Sequence, residues 1–169
     1  MNDENKYFND LITPYHHIHN FPNNNSIYLG SQSAIGGFPD KWNYTNKDYD
    51  NIREGLKKND IKYVVCCAEL YDLFLDDIQY LHIPMESNDS FDINNACLTA
   101  WKWIDEKIKT GSVIVHCNAG CHRSATVVVG YLSYKNGFSI EESIEYVKSK
   151  RSCINLDNFI PKLKILLKK

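Results

Sequence analysis

Residues 113–132 read VIVHCNAGCHRSATVVVGYL. A β-branched run, Val113-Ile114-Val115, stops at His116 and Cys117. Asn118, Ala119, Gly120, Cys121 and His122 follow, then Arg123, Ser124 and a second apolar run. A strand that enters a tight loop and leaves as a helix builds an oxyanion site. The backbone N–H groups of the loop turn inward together, and the helix start adds its positive end. Cys117 stands at the base of that cradle. Amides, a helix N-terminus and a nearby cation each pull a thiol pKa down, which makes a nucleophilic thiolate at neutral pH. Arg123 returns on the far side of the loop, where a planar guanidinium grips two phosphate oxygens at once, a geometry lysine does not offer. The residue choice is informative: of 19 basic residues only three are arginine, Arg53, Arg123 and Arg151.

The elements that must position this loop are legible on either side of it. SIYLG, IKYVVCCA, IQYLHIP and SVIVH are short, apolar and β-branched, as core strands are. Asn46 to Asn59 reads as a helix with Ile52 and Leu56 on one face. Asp92 caps a helix from Ile93 to about Lys109, with Ala96, Ala100, Trp103, Ile104 and Ile108 inward. Further helices are expected from Arg123 to Asn136, ended by Gly137, from Ser139 to Lys150, and from Asn158 to Lys168. Strands alternating with helices predict a single α/β domain: a central, mostly parallel sheet flanked by helices, with the phosphate-binding loop between a core strand and a helix. Residues 1–25 read as a polar N-terminal extension and 26–169 as the catalytic domain. His16, His17 and His19 fall in a polar loop of that extension and lack cysteine or carboxylate partners at ligand spacing, so no metal is expected.

Composition narrows the function. At 169 residues the chain is one domain long, and 43% hydrophobic with 24% charged residues is ordinary for a globular protein. A net charge of −2 provides no field for nucleic acid. The first residues do not read as a signal peptide and no segment reads as a membrane span, so a cytoplasmic or nuclear location is expected. There the six cysteines are expected as thiols rather than disulfides.

His116 to Ser124 resembles the His-Cys-x5-Arg-Ser/Thr motif of the protein tyrosine phosphatases. RSATVVVGYL, IYLGS and FSIEESIEYVKSKRSCINLDNFIPKL resemble the dual-specificity subgroup, and the likeness extends over about residues 26–168. The resemblance implies a phosphocysteine intermediate, a phosphoprotein substrate and no cofactor. It makes Cys117 the nucleophile and Arg123 the phosphate clamp. Ser124 would hydrogen-bond the sulfur and help it leave, and His116 would orient the loop and help depress the thiol pKa. Asn118, Ala119, Gly120, Cys121 and His122 would line the substrate phosphate with Arg123.

Family members carry an acidic Asp on the loop before the long helix. In HIPMESNDSFDI the candidates are Glu86, Asp89 and Asp92. Asp92 is more simply the helix cap, so Asp89 is the expected acid, with Glu86 or no acid at all as the alternatives. The chain departs from the family pattern here, because a gapless alignment puts Ser87 where the Asp should be. The chain has no extra Tyr-bearing loop of the kind that deepens the pocket in tyrosine-specific members, which predicts a shallow pocket open to phosphoserine and phosphothreonine as well as phosphotyrosine. The alternatives are a phosphoprotein-binding pseudophosphatase, an enzyme acting on RNA 5′-phosphates, and a sulfurtransferase that uses a cysteine loop. Cys66, Cys67 and Cys121 are candidates to trap an oxidised Cys117, though small buried apolar roles suit Cys66 and Cys67 better. PKLKILLKK reads as an amphipathic closing helix with a solvated basic face rather than a membrane anchor.

Overall fold

The structure is a computed structural model, and it describes residues 5, 6, 9, 13–35, 46–69, 75–88 and 90–168. In chain order the elements are β1 (Tyr15–Asn20), β2 (Ser26–Ser31), α1 (Asn46–Lys58), β3 (Ile61–Cys66), β4 (Gln79–His82), α2 (Ile93–Lys107), β5 (Ser112–Cys117), α3 (Arg123–Asn136), α4 (Ile140–Lys150) and α5 (Ile160–Leu167). A short 3-10 turn, Gln32–Ile35, follows β2. The strands lie in the order β1-β2-β5-β3-β4. β5 runs parallel to both neighbours, with Ser31 beside Cys117 on one side and Cys66 beside His116 on the other. β3 and β4 are also parallel, and only β1 is antiparallel. The expected α/β architecture with a mostly parallel sheet is therefore the one observed.

The burial of β5 explains why its sequence is apolar without alternation. Val113 and Val115 join the large core beneath α2 to α5, while Ile114 faces a smaller cluster with Leu56, Ile61 and Val64. Both faces of the strand are covered, so both sets of side chains are hydrophobic. α3 crosses the middle of the larger core and is buried from Arg123 to Ser133. It stops at Gly137, which takes the left-handed conformation at φ 70°. α4 starts with a reciprocal capping box between Ser139 and Glu142.

Three expectations need correction here. The histidine-rich segment is not a loop, since Tyr15–Asn20 forms edge strand β1 and pairs with β2. Its own sequence signal is weak because only Ile18 of the six is fully buried. The extension drawn over residues 1–25 therefore includes a strand of the sheet itself. On α2, Trp101 rather than Trp103 is buried: it lies one turn after Cys97 and donates from Nε1 to the Val127 carbonyl at 3.0 Å. Trp103 sits on the flank of the stripe, edge-on to Tyr63. Finally, α5 begins at Ile160, two residues later than expected, with Pro161 in the first turn where its missing N–H costs no helical bond.

Candidate active site

Cys117 ends β5 at 2% exposure, below the loop that α3 closes. The backbone of that loop is held by its carbonyls. The Asn118 carbonyl accepts from the Gln32 N–H at 3.1 Å and the Cys121 carbonyl from the Asn155 N–H at 2.8 Å. Arg151 donates from Nη2 to the Ala119 carbonyl at 3.0 Å and from Nε to the Gly120 carbonyl at 2.9 Å. The His122 carbonyl accepts from both the N–H and the Oγ1 of Thr126 at 2.9 Å. Every carbonyl from 118 to 122 is thus tied to a surrounding element, which leaves the amide side of the loop to serve an anion. Gly120 makes the sharpest part of this turn at φ +71°, and a Cβ there would strike the Gly30 backbone.

The electrostatics act on the sulfur. Burial would push the Cys117 thiol up, but the Ser124 hydroxyl and backbone N–H, the Arg123 charge and the Gly120 N–H together leave it below its ordinary value. The Ser124 hydroxyl donates to Cys117 Sγ at 3.2 Å. Arg123 is itself fixed: Nη1 donates to the Met85 carbonyl at 3.0 Å, and Glu69 Oε1 lies 3.8 Å away. His116 is wholly buried, and burial pushes its imidazole down to about 4 against the opposing pull of the Cys117 backbone. Burial thus favours the neutral ring. His122 lies on the rim with its ring stacked on Phe159 at 4.7 Å. Burial, then the Arg123 charge, lowers its pKa.

The structure brings His116, Cys117, Arg123 and Ser124 together with loop residues 118–122. Asp89 lies outside the described residues. Asp92 is the cap of α2, accepting from the Asn94 N–H at 2.9 Å. Glu86 is exposed and hydrogen-bonded by Asn88, and Ser87 is exposed beside it. The expectation that all six cysteines are thiols is overturned for two of them: Cys121 and Cys153 form a disulfide with Cα atoms 5.5 Å apart. Cys121 is thus joined to Cys153 and not poised as a free trap for Cys117. Cys66 and Cys67 are buried thiols, Cys66 pushed up by burial to about 11 and Cys67 also well above the ordinary thiol value. Both lie close enough to Cys117 to feel its charge.

Sequence reasoning missed Arg151. This side chain is fully buried and also donates from Nη1 to the Thr13 carbonyl at 3.0 Å and to His16 Nδ1 at 2.8 Å. The scarcity of arginine, which singled out Arg123, also pointed to Arg151; the third, Arg53, sits exposed beside Asp50. Glu69 carried no such signal, being one carboxylate among many.

A buried cysteine under a carbonyl-tethered loop, faced by an arginine and a serine, defines a phosphate-handling class of α/β domain. Residues 44–167 match the family model described as dual specificity phosphatase, catalytic domain, and the chain belongs to that family. Human dual specificity protein phosphatase 4 is 44% identical over 78 residues, 46% of this chain and 20% of that protein. Human dual specificity protein phosphatase 1 is 42% identical over 78 residues, 46% of this chain and 21% of that protein. The match thus spans about a fifth of the length of these curated relatives. Among solved structures, the human tyrosine phosphatase-like serine/threonine/tyrosine-interacting protein superposes with a TM-score of 0.75 at 23% identity, over 90% of this chain and 94% of that one. Human DUSP28 gives 0.74 at 19% identity, over 92% and 93% of the two chains. These likenesses concern the fold.

Proposed function

We propose that the protein is a cysteine-dependent phosphatase that hydrolyses phosphotyrosine and phosphoserine or phosphothreonine in protein substrates. One observation carries the reading: a loop whose five carbonyls point into tethers encloses a thiol held low by Ser124, Arg123 and Gly120. Loop amides 118–122 and Arg123 bind the non-bridging oxygens of the phosphate. Cys117 Sγ attacks phosphorus, an S–P bond forms, and the P–O bond to the substrate breaks. Asp89 gives its proton to the departing oxygen, then as carboxylate takes a proton from the water that cleaves the S–P bond. The Ser124 hydroxyl hydrogen-bonds the sulfur as it leaves. Nucleophile, charge and proton all come from the chain, so the reading calls for no metal or cofactor.

The absence of lysine from loop residues 118–122 favours phosphoprotein over highly anionic lipid substrates. The net charge of −2 and the absence of a basic-aromatic stripe disfavour nucleic acid. A cytoplasmic or nuclear location fits a nucleophile that must stay reduced. Among the described residues no helix is long and apolar enough to cross a membrane.

Hydrolysis of an aryl phosphate and of phosphotyrosine and phosphothreonine peptides tests the reading. Wild type should cleave all three, with phosphotyrosine faster than phosphothreonine because phenolate leaves more easily. Cys117→Ser should cleave none while still binding the peptides. Ser87 gives the second reading its support: if wild type binds phosphopeptides but does not turn over, the protein is a phosphoprotein-binding pseudophosphatase.

A further inference from the structure

Residues 151–155 grip the phosphate loop in three ways. The Arg151 guanidinium holds the Ala119 and Gly120 carbonyls, the Asn155 N–H holds the Cys121 carbonyl, and Cys153 is bonded to Cys121 through sulfur. The first two grips are hydrogen bonds that persist in any redox state. The third is reversible. Cys121 is half-buried, so a small thiol can reach its sulfur, whereas Cys153 is only 1% exposed. None of the other four cysteines is bonded to either member of this pair, and all four are buried thiols. The disulfide therefore lies at an edge of the anion cradle, four residues after the candidate nucleophile and two before the clamp.

We propose that Cys121 and Cys153 form a redox-sensitive modification site: the disulfide fastens the phosphate loop to the segment between α4 and α5, and its reduction weakens phosphate binding. The inference rests on the phosphatase reading of that loop and adds a regulator to it. In the oxidised state the chain from Gly120 to Arg123 is anchored by a covalent bond as well as hydrogen bonds, so little ordering remains to be done when an anion binds. In the reduced state Cys121 regains its rotamers, and binding must order the loop.

The exchange balances with ordinary partners. A hydroperoxide is attacked by one thiolate, its O–O bond breaks, and a sulfenic acid and an alcohol or water result. The second thiolate displaces water from that sulfur to form the S–S bond. Two thiols have then lost two electrons and two protons to the peroxide. A dithiol reverses the change: its thiolate attacks Cys121 Sγ, Cys153 leaves as a thiolate and is protonated, and the reagent's second thiol resolves the mixed disulfide as an intramolecular disulfide of the reagent.

The Cys117→Ser protein separates this effect from chemistry at the nucleophile. Tungstate binding is measured by calorimetry before and after treatment with dithiothreitol, with the reagent removed under argon. Reduction should weaken binding by roughly five- to twentyfold, the cost of ordering a released loop. Cys117→Ser combined with Cys153→Ser should show the weaker affinity throughout and no response to dithiothreitol. Peptide mapping after alkylation of the untreated protein should recover residues 121 and 153 as a linked pair. Equal tungstate affinity in the two states overturns the proposal, as does alkylation of both residues in protein oxidised with hydrogen peroxide. Absence of tungstate binding in both states overturns it too, and with it the cradle reading, which unequal or equal measurable affinities leave standing.

Discussion

At the scale of single residues, the thiol is tuned and the guanidinium held in place by what surrounds them. The Cys117 thiol lies below its ordinary value despite burial, because Ser124, Arg123 and Gly120 all favour the thiolate. kcat/KM should therefore rise with pH and level off earlier than an unassisted thiol would allow. Ser124→Ala removes the hydroxyl that donates at 3.2 Å, so its acidic limb should move to higher pH in a stopped-assay pH profile. Arg123→Lys should lower kcat/KM for an aryl phosphate by about 10²-fold or more, since the two-oxygen grip and the fixed bond to the Met85 carbonyl are both lost. A variant within tenfold of wild type would show that a point charge is enough. His116 makes a separate contribution to stability. Burial pushes its pKa from the ordinary 6.5 down to about 4 on folding, so between those pH values the unfolded chain binds the extra proton. The neutral ring's advantage is complete above pH 6.5 and is lost as pH falls toward 4, by on the order of 3 kcal/mol. Urea midpoints over that range should fall in wild type and fall less in His116→Gln.

At the scale of elements, the loop between β5 and α3 is shaped from outside itself. Five carbonyls find partners on the turn after β2, on α3 and on the segment after α4. Arg151 supplies two of those partners and reaches back to Thr13 and His16 as well. Arg151→Met should keep the side chain's bulk but remove four hydrogen bonds. The expected result is a loss of tungstate affinity and a rise in KM larger than the fall in kcat, because the loop is positioned less well while Cys117 is untouched. A kcat defect with unchanged KM and affinity would argue against this positioning role. Ser139→Ala provides the contrast. It removes the α4 capping box and should cost about 1 kcal/mol by urea denaturation with no change in kcat/KM, since the box lies at the opposite end of α4 from Arg151.

At the scale of the whole molecule, the site joins segments far apart in the chain. Strands β2, β5 and β3 end at Ser31, Cys117 and Cys66, and these carboxyl ends are where parallel α/β folds place their binding crevices. β1 forms one edge of the sheet and is anchored by Ile18, which is fully buried in the large core. Ile18→Ala should destabilise the fold by about 2–4 kcal/mol by chemical denaturation. Below the melting range, phosphate affinity should fall as well, because His16 and Thr13 of the same segment hold Arg151.

The nonapeptide from His116 to Ser124 was readable because its chemistry is local. A strand, a tight loop and a helix start are neighbours in sequence, and cysteine, glycine and arginine have roles there that few other residues fill. The core strands and most helices were readable for a similar reason, since burial on two faces or on one stripe writes itself into the order of apolar residues. β1 was not, because pairing with β2 and burial of Ile18 alone give a polar segment its extended form. Trp101 was passed over for Trp103 because each stands three or four residues from a buried position of α2, Trp103 from Ala100 and Trp101 from Cys97, and only packing chose between them. Arg151, Glu69 and the Cys121–Cys153 pair depend on distance in space between groups with no fixed spacing along the chain. The sequence by itself marked the candidate reactive loop and determined the layers that carry it. Tertiary structure alone decided what holds that loop's carbonyls away from the anion, because those tethers come from segments that only folding brings together.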